Sequence, residues 1–167
     1  MWVGEMIPDI KQPILLVTDP GKEEESIIRL SRVGYDNTIG YLKGGFAAWK
    51  AAGKEVDTVN RITAAEFAKR YKEQPLVFDV RKKSEYDSEH VVGAINVPLN
   101  QINQHLAQFP KDKPFIVHCA GGYRSMIAAS ILKQRGWDDF VDVEGGFGAI
   151  KETDVKRTEY VCPTTML

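Results

Sequence analysis

The stretch that decides the fold runs from Lys113 to Phe147, KPFIVHCAGGYRSMIAASILKQRGWDDFVDVEGGF. It opens on "PFIV", a short apolar run that suits a strand buried on both faces. A glycine-containing loop follows, then a helical pattern that places Ile127, Ala128, Ile131 and Leu132 on one face and stops at Gly136. "DFVDV" reads as a second short strand, and "GGF" leads into a short helix. Strand, helix and strand in this rhythm predict an α/β fold, a parallel sheet with right-handed crossovers and helices on both faces.

The same order of features occurs upstream, in KQPILLVTDPGKEEESIIRLSRVGYDNTIGYLKGGFAAWKAAG, residues 11–53. Pro13 matches Pro114, Gly34 and Tyr35 match Gly136 and Trp137, and "GGF" at 44–46 matches "GGF" at 145–147. Here the helix carries Ile27, Ile28 and Leu30, with its acids clustered at the positive helix end. The aromatics Trp49, Trp137, Phe46 and Phe147 fall at repeat positions and read as core packing.

The two copies differ in what precedes them. Before the second stand "TAAEFAKRYK", a helix with a Thr63/Glu66 capping box, the strand "PLVFDV", and the loop and strand "SEYDSEHVVGAINVPL". Before the first there are only about a dozen residues. Residues 58–155 therefore make a complete domain, residues 1–57 the second half of a similar one with its linker, and residues 156–167 a tail. A half-domain exposes a sheet edge and an uncovered apolar face. The expectation is either a fragment of a longer protein, or an amino-terminal piece that packs on the second domain or on a partner chain.

Twenty-two Lys and Arg against 23 Asp and Glu leave a net charge of -1, so no overall field draws the chain to nucleic acid or an anionic membrane. No apolar run approaches the ~20 residues that span a bilayer, and the amino terminus lacks signal-peptide order, so the cytoplasm is the expected location. The two cysteines, Cys119 and Cys162, have neither disulfide-framework nor metal-ligand spacing, and no metal or organic cofactor is expected.

Cys119 follows the strand at its carboxyl end, where open parallel sheets bind ligands. In "AGGYRS", Gly121 and Gly122 permit the positive φ angles that curl consecutive N–H groups toward one point, and the next helix adds its dipole. Such a nest beside Arg124 favours a thiolate, and would equally stabilise a persulfide anion. Arg124 could hold an incoming oxyanion by its fork or brace the loop. The competing reading of Cys119 is a buried thiol in a turn that needed glycine. His118 reads as a packed core residue, His105 as surface, and Cys162 as either a tail residue or a resolving thiol.

"CAGGYRS", the upstream "FDVRKKSEYDSEHVVGAINVPL" and the trailing "VEGGFGAI" together resemble a rhodanese-type sulfurtransferase domain over about residues 60 to 155. The resemblance makes Cys119 the sulfur acceptor and Ala120, Gly121, Gly122, Tyr123, Arg124 and Ser125 the substrate-binding loop. Asp79, Arg81 and His90 take supporting roles, with Glu89 standing where the family has glycine. It implies a small sulfur donor, thiosulfate or a persulfide, and a thiol or cyanide acceptor. The six-residue loop from Cys119 to Arg124 goes with sulfur transfer in the family, and one residue more goes with phosphatases. A phosphatase or arsenate reductase and a non-catalytic binding module are the alternatives. Residues 1–57 resemble the second half of an inactive module, "VTDPGKEEES" replacing the cysteine loop. The tandem is similar to the carboxyl-terminal part of bacterial metallo-β-lactamase-fold fusions.

Overall fold

The structure, a computed structural model, describes residues 3–162; residues 163–167 of the tail lie outside the described residues. The chain divides into two compact units, one ending at Asp57 and the other beginning at Thr58. Among the described residues, no helix is long and apolar enough to cross a membrane.

The first unit contains α1 (Val3–Met6), β1 (Ile14–Leu16), α2 (Glu23–Ser31), β2 (Thr38–Tyr41) and α3 (Gly45–Ala51). β1 and β2 pair in parallel as a two-stranded sheet. Leu15, Val17, Ile39 and Tyr41 are exposed, as are Ile27 and Ile28 of α2. Two strands give α2 nothing to bury its apolar residues against, and the helix has no buried residue.

The second unit contains β3 (Arg61–Ile62), α4 (Ala64–Tyr71), β4 (Leu76–Asp79), α5 (Lys83–Ser88), β5 (Ile95–Asn96), β6 (Phe115–His118), α6 (Tyr123–Gln134), β7 (Phe140–Val143) and α7 (Gly146–Ile150), with 3-10 turns over Leu99–Gln108. Its five strands are all parallel in the order β3-β7-β6-β4-β5, which puts β6 at the centre. Alternation along β4 and β6 builds a core on each face. Val77 and Ile116 pack with Phe67 and Ile150 on one. On the other, Phe78 meets Phe109 and Phe115 at ring-centroid distances of 4.3 and 5.4 Å.

Three sequence expectations take a different local form. α6 buries Ser125, Ala128, Ala129 and Leu132, while Ile127 and Ile131 are only half-buried. Small side chains let a crossover helix sit close over the sheet, so the seam follows size as well as apolarity. Half of the capping box forms: Thr63 Oγ1 accepts from the Glu66 N–H at 3.1 Å, but the Glu66 carboxylate turns to Arg70. "SEYDSEHVVGAINVPL" holds the short α5 and only a two-residue strand. The Glu85 carboxylate accepts from the Lys82 N–H at 3.1 Å, which starts a helix there.

The tail runs back along the second unit. Val91 and Arg157 form an antiparallel bridge, the Thr158 N–H donates to the His90 carbonyl, and the Val161 N–H donates to the Ser88 carbonyl. Cys162 is exposed.

Candidate active site

β6 ends at His118, and the chain turns at once into a loop that starts α6. α7 shapes this loop from outside. The Phe147 N–H donates to the Cys119 carbonyl at 2.6 Å, and the Gly148 N–H donates to the Ala120 carbonyl at 2.9 Å. With those two carbonyls drawn outward, the N–H of Gly122 points inward and donates to Cys119 Sγ at 3.1 Å. The Ser125 hydroxyl lies 3.5 Å from the same sulfur. Cys119 retains 1% of its surface, so Sγ forms the floor of the loop, while Tyr123 stands exposed at its rim.

Two glycines are required here. Gly122 has φ +99 as the residue before α6. Gly146 has φ +53, and a Cβ on it would fall 2.3 Å from the Cys119 carbonyl oxygen. Gly121 differs from expectation: its φ is not positive, and a Cβ there would meet nothing within 4 Å. One left-handed residue is enough to make the turn.

The cations around the loop are paired with carboxylates. Arg124 donates to Glu85 through both terminal nitrogens, Nη2 to Oε1 at 2.8 Å and Nη1 to Oε2. This bond holds the Glu85 carboxyl below its usual range, against the rise that burial alone would cause, and raises Arg124 further. Of the two roles open to Arg124, bracing is the one the side chain adopts, tying α6 to α5. Arg81 is buried against Asp79, with Nη2 2.6 Å from Oδ2 and Nε 2.8 Å from the same oxygen. Its guanidinium carbon stands 3.9 Å over the Phe147 ring, which fixes the residue whose N–H holds Cys119.

Glu89 has extended backbone, so no glycine is needed at this position. Its carbonyl accepts from Arg81 Nη2 at 2.8 Å, and its carboxylate accepts from Lys151 and Arg157. Burial would raise that carboxyl, but the two cations outweigh it and hold it low. His90 is engaged elsewhere: its ring stacks on Tyr86 at 3.7 Å, and Nδ1 lies 2.7 Å from the Tyr86 carbonyl.

His118 is fully buried, with Nδ1 3.3 Å from the Cys119 carbonyl and Nε2 unpartnered. Desolvation lowers its pKa and keeps the ring neutral. On the next strand Asp142 is also fully buried, and its Oδ2 accepts from Arg61 Nε at 3.0 Å. Burial pushes the Asp142 carboxyl up, against hydrogen bonds from Ser125 and Arg61 that pull it down.

A cleft of about 250 Å³ lies among residues that brace the loop, walled by Arg81, Glu85, Phe147, Lys151 and Tyr160. The larger cavity, about 1150 Å³, opens at the opposite end of the strands, beside Leu76 and Pro114. It is remote from Cys119.

The structure thus gathers Cys119 through Ser125 into one turn, with Asp79 and Arg81 acting on it through Phe147. Sequence reasoning missed Glu85, Arg61 and Asp142. Asp142 had a signal, an acid inside the apolar strand "FVDV" where alternation asks for a buried residue. Arg61 and Glu85 had none, since their partners are 81 and 39 residues away.

A family model for the rhodanese-like domain matches residues 63–153. The chain belongs to this family. Its relatives include the uncharacterized protein YqhL of Bacillus subtilis, 35% identical over 86 residues, which are 52% of this chain and 68% of YqhL. Thiosulfate sulfurtransferase GlpE of Shewanella oneidensis is 31% identical over 78 residues, 47% of this chain and 77% of GlpE. Among solved structures, a rhodanese-related protein from Thermoplasma volcanium superposes with a TM-score of 0.55 at 31% identity, covering 59% of this chain and 97% of that one. The metallo-β-lactamase-fold fusion expected from the sequence has no support in these similarities.

Proposed function

We propose that the second unit is a sulfurtransferase with Cys119 as the sulfur acceptor. The Cys119 thiolate attacks the outer sulfur of thiosulfate or of a persulfide, and sulfite or a thiolate leaves as the donor S–S bond breaks. Cys119 is then a persulfide, Cys–S–S⁻. A thiol or cyanide next attacks the terminal sulfur, giving a new persulfide or thiocyanate and returning the Cys119 thiolate. The observation that carries this reading is the Gly122 N–H aimed at Sγ from 3.1 Å. That donor can hold a sulfur anion, and the family relationship to thiosulfate sulfurtransferases supports the same chemistry. Arg124 acts here by holding the loop rather than by gripping the donor, because Glu85 occupies its fork.

The first unit fits a half-module of the same fold without the chemistry. Supporting this, Gly44 and Gly45 repeat the left-handed pair Gly145 and Gly146, and a Cβ on Gly45 would fall 2.2 Å from the carbonyl of Thr18. Thr18 therefore stands where Cys119 stands in the second unit.

Intact-mass spectrometry after thiosulfate treatment tests the proposal. A single added sulfur on Cys119, absent in Cys119→Ser, is the expected outcome. No adduct from thiosulfate or any persulfide donor would favour a binding module, and turnover of an aryl phosphate without sulfur transfer would favour a phosphatase.

A further inference from the structure

The larger cavity takes no part in the chemistry proposed for Cys119. It holds about 1150 Å³ and opens beside Leu76 and Pro114, where β4 and β6 begin. The five steps of chain from Pro114 to Cys119 span roughly 15 Å of strand, so a ligand seated here stays clear of the cysteine loop. The walls are tied to one another. The Tyr71 hydroxyl at the end of α4 donates to the Val92 carbonyl at 2.9 Å, and the Val92 N–H donates to the Lys156 carbonyl at 3.0 Å. A cavity held in this way is formed before any ligand arrives.

Its lining has two parts. Leu76, Val77, Pro114 and Val155 make an apolar floor, in which Val77 and Val155 belong to the core itself. Around the floor stand Lys72 after α4, Lys113 before β6 and Lys156 in the tail, with Asp154 as the one acid. Among the described residues, none of these three lysines reaches a carboxylate, whereas Arg70, Arg81, Lys151 and Arg157 of the same unit each do. Three lysines against one aspartate leave an excess of two positive charges, in a chain whose net charge is -1. Like charges gathered around one hollow repel until an anion joins them.

One more wall residue is held in a costly conformation. α2, α3 and α6 are each followed by a glycine of positive φ, Gly34, Gly53 and Gly136, but α4 is followed by Gln74 at φ +54. Glycine takes this conformation freely and glutamine does not. The position therefore keeps a side chain, an amide able to donate to an anion, in the wall of the cavity.

We propose that this cavity binds a small amphipathic anion. A carboxylate or phosphate head sits among Lys72, Lys113 and Lys156, with the Gln74 amide beside them, and an apolar body lies on the floor. Lysine ammonium groups act as point charges, which suits either head. The inference is independent of whether Cys119 transfers sulfur.

The test is isothermal titration calorimetry on the full chain with octanoate and octyl phosphate, and with 1-octanol and octylammonium as neutral and cationic controls. Saturable binding of at least one anion is expected, roughly tenfold tighter than either control and weakening as salt is raised. The tighter of the two anions identifies the head group. Lys72, Lys113 and Lys156 are exposed, so the triple variant Lys72→Gln/Lys113→Gln/Lys156→Gln should keep the parent's thermal midpoint while its affinity for the anion falls roughly tenfold. Methyl NMR locates the ligand: the Val92 and Val155 signals should move on titration, and that of Val117, near the cysteine loop, should not. No saturable binding of either anion at millimolar concentration, equal binding of 1-octanol, parent-like affinity in the triple variant, or shifts that spare Val92 and Val155 would overturn the proposal.

Discussion

Replacing Gly146 with alanine should damage the cysteine loop from outside, and the structure sets the size of the effect. Gly146 lies at φ +53, where an L side chain costs about 1–2 kcal/mol. The new Cβ would fall 2.3 Å from the Cys119 carbonyl oxygen and 2.9 Å from the Ala120 carbonyl carbon, whereas real contacts stay above 3.0 Å. The Cys119 oxygen must therefore retreat by about 0.7 Å. That oxygen accepts the Phe147 N–H at 2.6 Å, so the retreat strains a buried hydrogen bond whose loss costs about 1–3 kcal/mol. Together the two effects amount to about 2–5 kcal/mol of stability. Moving the nucleophile's own carbonyl by about 0.7 Å should also slow sulfur transfer by up to ~100-fold. The assays are urea unfolding and steady-state transfer from thiosulfate to cyanide. Gly121→Ala is the comparator, since its site is open and its φ is not positive, and a change within about 0.5 kcal/mol is expected. Parent-like behaviour of Gly146→Ala, or equal damage from Gly121→Ala, would refute the reasoning.

Two further outcomes follow from the ion pairs. Glu85→Gln should release Arg124 to bind the donor anion, lowering KM for thiosulfate several-fold, while solvent screening limits the stability loss to about 1 kcal/mol. Because the folded Glu85 carboxyl is depressed, its contribution is present above the unfolded carboxylate range and is lost as pH falls through the folded value. The variant should therefore lose less stability than the parent as pH falls below the unfolded carboxylate value of about 4.3, and an unchanged acid sensitivity there would count against the pair. Arg81→Met should strand the fully buried Asp79 carboxylate at a cost of about 3–5 kcal/mol in urea unfolding, and a loss below about 1 kcal/mol would show that the pair does not hold the Phe147 loop.

Much of the second unit was legible because its signals are local. The apolar runs of β4 and β6, the glycine after α6 and the "GGF" turn each act within a few residues, so periodicity and turn chemistry find them. Cys119 was legible for the same reason, as the residue between a central strand and a glycine-rich helix start. The loop's electrostatics were not. Arg124 reads as an anion clamp until Glu85, 39 residues away, is seen to fill its fork. Glu89 reads as a misplaced glycine until Lys151 and Arg157 are seen on its carboxylate. Pairings across elements depend on the register of the sheet and on helix placement, which no short window of sequence contains.

On the proposed reading of the first unit as a half-module, comparing the two copies separates scaffold from chemistry. Gly45 presses on the Thr18 carbonyl as Gly146 presses on that of Cys119, at 2.2 and 2.3 Å for a virtual Cβ, so the grip on the strand end belongs to the fold and needs no sulfur. What the second copy adds is specific to its loop: an inward N–H from Gly122, the Ser125 hydroxyl beneath Sγ, and a buried Asp142 with one oxygen open. In the first copy the corresponding strand β2 reads "TIGY", with no acid, and the loop reads "VTDPGKEEES", with no cysteine. The buried acid and the cysteine are therefore present together in one copy and absent together from the other.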